Sequence, residues 1–134
     1  MPSSFNCPNG IFVSQADIRQ VQLAKSAIVT GIKTLMTENG LDETYVNKVY
    51  VAGAFGAYLK PSSLIRLGFF PESWCDRITF VGNTSKAGAV MALLSQSTRC
   101  RMEETAQKVD YIELESCPGF EKMFVENMKF PAKE

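Results

Sequence analysis

The sequence predicts an α/β fold in which helices flank a small sheet. Helical and strand-like segments alternate along 134 residues, a pattern typical of one layered domain. Two short runs, Lys48–Ala52 and Ile78–Val81, are rich in the β-branched and aromatic residues that strands favour. Each run ends at a glycine, and a helical segment follows. Because the predicted strands are few and short, the sheet has edges that need protection.

The N-terminal half begins with residues 1–10, which we expect to be a disordered or frayed segment, and residues 11–134 form the folded unit. Ile11–Val13 reads as a short strand. Ser14-Gln15-Ala16-Asp17 fits a capping box with Asp in place of Glu, and it predicts a long helix that Asn39-Gly40 ends. One stripe of this helix is apolar and is a packing face, interrupted by Lys25: Ile18, Val21, Ile28, Ile32 and Leu35.

Proline, glycine and polar caps mark the remaining elements. Asp42 caps a short turn, Pro61 starts a helix that Gly68 ends, and Pro71 starts a turn through Trp74. The other expected elements are helices over Thr84–Ser95 and Thr98–Lys108, a third strand over Tyr111–Leu114, and a last helix opened by Pro118.

The composition excludes several classes of function. Lys plus Arg and Asp plus Glu are 14 each, so the chain has no basic field for nucleic acid or an anionic membrane. Histidine, the commonest general base and metal ligand, is absent. The four cysteines are widely spaced and form no metal-binding pattern, and we expect them to be reduced in a cytoplasmic protein. We predict no catalytic residue and no metal ligand.

Two strand–glycine–helix units carry the candidate site. Gly53, Ala54, Phe55 and Gly56 follow the first strand, and Gly82 and Asn83 follow the second. Glycine there either permits a tight turn or lets a ligand approach the backbone, since ligands of open α/β sheets bind outside the carboxyl ends of strands. Asn83 or Thr84 can cap the following helix, and its N-terminus is either a simple cap or a site that holds an anion. The spacing matches neither a dinucleotide fingerprint nor a P-loop, and the residues alone leave both alternatives open.

Four segments together resemble the C-terminal region of the reductive activators of corrinoid proteins: GIFVSQADIRQVQLAKSAIVTGIKTLM, VYVAGAFGAYLKPSSLIRLGFFP, FVGNTSKAGAVMALLS and VDYIELESCPGFEKMFVENMKFP. Those activators belong to the superfamily of sugar kinases, heat-shock chaperones and actin. The resemblance implies a ribonuclease-H-like, actin-type ATPase lobe. It also implies the function of the longer protein, which is the ATP-dependent reduction of an inactive Co(II) corrinoid to Co(I).

The resemblance assigns the glycine units to the adenosine side of a nucleotide cleft. Gly53, Ala54, Phe55 and Gly56 take the positions of the adenosine motif, with Ala54 where the superfamily usually has a second glycine, and Gly82 and Asn83 lie in the segment packed beside it. The phosphate loops, the first lobe and the ferredoxin-like iron–sulfur domain of such activators have no counterpart here. We therefore expect a C-terminal piece that binds ATP weakly or not at all alone and does not hydrolyse it.

The partner implied by the resemblance is a corrinoid protein, with no nucleic acid and no membrane. A homodimer is also possible through the apolar face of the first long helix. Two other functions stay open. One is a stand-alone interaction or dimerisation module in which both glycine turns are structural. The other is a catalytic domain of a different kinase-like enzyme, which would need phosphate loops that the sequence does not contain.

Overall fold

The computed structural model describes residues 5–6, 10–53 and 59–132. In chain order, the described elements are β1 (Phe5–Asn6), β2 (Phe12–Val13), α1 (Gln15–Glu38), β3 (Val49–Ala52), α2 (Pro61–Leu67), β4 (Ile78–Gly82), α3 (Thr84–Leu94), α4 (Gln96–Ala106) and α5 (Phe120–Asn127). Short 3-10 helices span Glu43–Tyr45, Glu72–Arg77 and Leu114–Ser116. The mixture of a parallel strand pair and surrounding helices confirms the predicted α/β class.

Two separate strand pairs make up the β structure of the described residues. β3 and β4 are parallel, with Val49 opposite Ile78 and Val51 opposite Phe80. β1 and β2 are antiparallel. β1 lies inside the segment predicted to be disordered or frayed. The backbone of Phe5 and Asn6 forms this strand by pairing with β2.

The third strand expected over Tyr111–Leu114 is wrong. Residues 109–113 are irregular, and a 3-10 helix covers Leu114–Ser116. The β-propensity of this segment is not matched by a neighbouring strand in the described chain, and a strand needs such a partner for its backbone hydrogen bonds. Leu114 instead packs on α1, since a Cβ added to Gly31 would lie 3.3 Å from Leu114 Cδ1.

Several predicted boundaries also move. α4 begins at Gln96 rather than Thr98, because the Ser95 hydroxyl accepts a 3.2 Å hydrogen bond from the Thr98 N–H and caps the helix earlier. α5 begins at Phe120, directly after Gly119, which has a left-handed backbone. The local signals therefore fix which helices exist better than where they begin.

The start of α1 confirms the capping box. The Asp17 N–H donates to Ser14 Oγ at 3.2 Å, and the Ser14 N–H donates to Asp17 Oδ2 at 2.9 Å. The Ser14 hydroxyl also donates to Asp17 Oδ2 at 2.6 Å, and this bond, followed by that of the Ser14 N–H, lowers the pKa of Asp17. The predicted cap at Asp42 and the helix from Pro61 to the Gly68 stop are also confirmed.

The face of α1 that packs on α5 is largely polar. Ser26 Oγ donates to the Phe124 carbonyl, and Asn127 Nδ2 donates to Thr30 Oγ1 at 3.0 Å. Lys33 Nζ in turn donates to Asn127 Oδ1 at 3.1 Å. The Phe124 carbonyl lies in the last turn of α5, where backbone acceptors lack partners within the helix. Side chains of α1 therefore help to satisfy the end of α5.

Lys25 contacts the segment that follows α5. Its side chain is 3% exposed, and its Nζ donates to the Lys129 carbonyl and lies 5.5 Å from the centroid of the Phe130 ring. Burial, with a smaller contribution from the charge of Lys33, lowers the pKa of Lys25. Pro131, the residue after Phe130, lies against Gly68 at the end of α2.

The apolar core of the described chain is small. Its buried apolar side chains are Val29, Leu64 and Trp74. Trp74 Nε1 donates to the Glu43 carbonyl at 3.1 Å, which satisfies the one polar atom of the indole. No described helix is both long and apolar enough to cross a membrane.

Candidate functional site

The candidate site lies at the carboxyl edge of the β3–β4 pair. Because the strands are parallel, both leave the sheet at this edge. The Gly53 N–H donates to the Gly82 carbonyl at 2.8 Å, so the two glycines predicted for the site lie side by side. A register irregularity between Val51 and Ala52 lets Gly82 reach this position.

Both glycines have backbones that other residues adopt only with strain. The φ angle is +113° at Gly53 and +67° at Gly82. A Cβ added at either position would meet no described atom within 4 Å. The backbone conformation therefore requires glycine, whereas packing within the described chain does not. Within the described residues, no atom fills the space where each Cβ would lie, so a tight turn and the approach of a ligand to the backbone are compatible.

Asn83 caps α3, as one of its two predicted roles. Its Oδ1 accepts a 3.0 Å hydrogen bond from the Lys86 N–H. The N-terminal turn of α3 carries Lys86 and no acidic residue, and both it and the helix dipole favour a negatively charged group there. Lys86 was not among the predicted site residues, although a basic residue in the first helical turn after a glycine was a visible signal.

Ala54, Phe55 and Gly56, the other predicted site residues, lie outside the described residues. The structure thus brings together Gly53, Gly82 and Asn83, all of them exposed. Backbone N–H groups and an open surface can bind a sugar, a base or an anion, but they supply neither a nucleophile nor a general base. In the described part of the chain, no group of three metal-ligating side chains is close enough together to hold a metal ion.

A separate cavity of about 280 Å³ lies beside α1. It is lined chiefly by apolar side chains, among them Ile32, Met36, Phe69, Trp74 and Met123. None of its lining residues belongs to β3, β4 or α3. This cavity therefore lies apart from the glycine edge.

Comparisons with known proteins agree on one family. The family model described as "C-terminal domain of RACo the ASKHA domain" matches residues 3–134. A solved structure titled "Reductive activator for corrinoid,iron-sulfur protein" superposes on 90% of the chain with a TM-score of 0.84 and 34% sequence identity, and the match covers 19% of that structure's chain.

Curated relatives have similar names. The corrinoid activation enzyme RamQ of Eubacterium limosum is 31% identical over 120 residues, which are 90% of this chain and 20% of the relative. The [Co(II) methylated amine-specific corrinoid protein] reductase of Methanosarcina barkeri is 29% identical over 118 residues, which are 87% of this chain and 22% of the relative. The chain spans about a fifth of the length of the relatives that it matches.

Proposed function

The chain belongs to the family of RACo C-terminal ASKHA domains, and from this premise we propose that it forms the adenosine side of a nucleotide cleft in an ATP-dependent reductive activator of corrinoid proteins. The observation that carries the proposal is the hydrogen bond between Gly53 and Gly82 at the carboxyl edge of a parallel strand pair. It aligns two glycine turns, and neither glycine has a described neighbour above its Cα.

This geometry suits a nucleoside better than a catalytic centre. An adenosine can lie flat against backbone that has no side chains, and the α3 N-terminus with Lys86 can attract the phosphate end. Phosphoryl transfer itself depends on magnesium and on groups placed around the phosphates. Those groups would come from the four fifths of such an activator that this chain does not match. We assign the chain a binding role within a larger ATPase.

The overall reaction in the proposal follows the names of the relatives. One relative is a corrinoid activation enzyme and another is a reductase of a Co(II) corrinoid protein. Reduction of Co(II) to Co(I) takes up one electron, for which an iron–sulfur cluster elsewhere in the activator is the donor in this proposal. ATP drives the transfer, and a corrinoid protein is the partner.

Thermal unfolding with millimolar ATP or ADP tests the nucleotide role. A ligand that binds only the folded state stabilises it by mass action. At a concentration equal to a millimolar Kd, such a ligand adds about 0.4 kcal/mol, which is about 1.5 °C in the melting temperature for a chain of this size. We expect this rise for the wild-type chain and not for Gly53→Val, whose side chain would fill the open space beside the edge.

Gly40→Val is the matched control. Gly40 also has a positive φ, of +63°, and open space around it, but it follows α1 and not the sheet edge. Both variants pay the cost of a strained backbone, so both melt at a lower temperature without nucleotide. Only Gly53→Val should lose the nucleotide response. An equal response in all three proteins would mean that nucleotide binds away from the glycine edge, whereas no response in any of them is what the alternative predicts, an interaction module whose glycine turns are purely structural.

A further inference from the structure

The cavity beside α1 has a preformed wall. Trp74, a lining residue that is 3% exposed, donates its Nε1–H to the Glu43 carbonyl at 3.1 Å. Close to it in the chain, Arg77 donates to the Val46 carbonyl. These two hydrogen bonds join two of the short 3-10 helices to each other. This wall of the cavity is therefore in place without a ligand, as is usual for small-molecule sites.

Aromatic and sulfur-containing side chains make up much of the lining. Phe69 and Trp74 contribute rings, and Met36 and Met123 contribute thioethers. The faces of aromatic rings attract cations, and tryptophan does so most strongly. Methionine is polarizable and adapts to irregular apolar shapes. The volume of about 280 Å³ is close to the roughly 300 Å³ at which small-molecule sites begin, so a ligand of this cavity is small.

The charge of the lining favours a cation. Among the described lining residues, Asp42 and Glu43 carry carboxylates and Lys33 carries an amine. Hydrogen bonds from the side chain and then the backbone of Thr44 lower the pKa of Asp42, so this carboxylate is ionised at neutral pH. The Lys33 amine donates to Asn127 Oδ1 at 3.1 Å, on a residue that does not line the cavity. Negative charge therefore predominates around an apolar interior.

We propose that this cavity binds a small quaternary ammonium compound, a cation whose charge is covered by alkyl groups. The alkyl groups suit the methionine side chains, and the diffuse charge suits the aromatic rings and the nearby carboxylates. A primary amine fits less well, because each of its N–H groups needs a hydrogen-bond acceptor in an apolar interior. An anion is repelled by the two carboxylates. The cavity lies apart from the glycine edge, so this binding is independent of the proposed nucleotide role.

Titration with choline chloride, followed by the fluorescence of Trp74, the one tryptophan, measures this binding. The reference ligand is dimethylbutanol, the neutral isostere of choline in which a quaternary carbon replaces the nitrogen, and sodium chloride keeps the ionic strength constant. Phe69→Leu removes a ring from the lining but keeps an apolar side chain, and Glu43→Gln removes a charge. Phe120→Leu and Glu38→Gln are matched controls, since neither residue lines the cavity.

We expect the wild-type chain to bind choline at least about fivefold more tightly than dimethylbutanol. Phe69→Leu and Glu43→Gln should each weaken choline binding about threefold or more, and each should leave the affinity for dimethylbutanol within about twofold. Both controls should bind like wild type.

Equal affinity for the two ligands, or no saturable change with choline, overturns the proposal. Equal losses in Glu43→Gln and Glu38→Gln also overturn it, because choline would then be attracted by the general surface charge. Circular dichroism checks that each variant is folded. Glu43→Gln changes an exposed side chain, so it keeps the proposal falsifiable even where Phe69→Leu fails to fold.

Discussion

Substituting alanine for Gly68 tests how the C-terminal segment is fixed to the rest of the chain. Gly68 ends α2 with a φ of +80°. A Cβ at this position would lie 2.8 Å from Pro131 Cγ and 2.9 Å from Pro131 Cδ, closer than real Cβ contacts. The substitution therefore has two costs. The left-handed backbone costs about 1 kcal/mol for any residue with a Cβ, and the clash adds about 1–3 kcal/mol, as overpacking usually does.

Gly40→Ala separates these two costs. Gly40 has a φ of +63° and no described atom within 4 Å of an added Cβ, so only the backbone cost applies. We expect Gly68→Ala to lower the free energy of unfolding by about 2–4 kcal/mol and Gly40→Ala by about 1 kcal/mol. Urea unfolding followed by the fluorescence of Trp74, the one tryptophan, measures both.

A double-mutant cycle with Pro131→Ala identifies the source of the clash. Pro131→Ala removes the two ring atoms that approach Gly68. In that background, Gly68→Ala should cost only as much as Gly40→Ala, because the backbone strain is all that remains. Equal costs for Gly68→Ala with and without Pro131 would refute the docking of the C-terminal segment against the end of α2.

Three further predictions concern single side chains. Hydrogen bonds with Ser14 lower the pKa of Asp17 below 3.8. The stability that wild type gains over Asp17→Asn is therefore complete above pH 3.8 and is lost as the pH falls through the lowered pKa. Acid titration of the urea midpoints checks this, and a constant difference between the midpoints of the two proteins would contradict it. Burial lowers the pKa of Lys25 below 10.5, so folding releases a proton at pH values between the lowered pKa and 10.5. The stability of wild type relative to Lys25→Met should therefore rise as the pH approaches 10.5. A flat difference between the alkaline melting curves of the two proteins would exclude the buried amine. Trp74→Phe leaves the Glu43 carbonyl without its donor and should cost about 1–3 kcal/mol in thermal unfolding, and a neutral effect would mean that water replaces the indole.

Signals that act within a few residues could be predicted from the sequence. The capping box of Ser14 and Asp17 formed as expected, and Pro61 and Gly68 bound α2 as expected. At the site, both strand–glycine units were identified, and their parallel pairing agrees with the tendency of consecutive strands joined through a helix to be neighbours. The hydrogen bond between Gly53 and Gly82 follows from that pairing, although its register depends on an irregularity that no sequence pattern shows.

Contacts between distant residues could not be predicted. Hydrophobic periodicity finds the apolar stripe of α1, but Ser26 and Thr30 are buried because partners about 98 residues away in sequence satisfy their hydroxyls. Lys25 interrupts the apolar pattern, and only the packed structure shows that the Lys129 carbonyl and the Phe130 ring accommodate its charge. The error over Tyr111–Leu114 has the same origin, since strand propensity says nothing about whether a neighbouring strand is present.

Nuclear magnetic resonance titration of the ¹⁵N-labelled chain with ADP tests the nucleotide role at the level of single residues. The method detects binding even when affinity is only millimolar, as expected for one wall of a cleft. We predict that ADP shifts the amide signals of Gly53, Gly82 and the first turn of α3, and leaves those of Gly40 unchanged. Shifts that cluster around Trp74 and Met36, which line the separate cavity, or no shifts at all, would contradict the assignment of the glycine edge as the adenosine site.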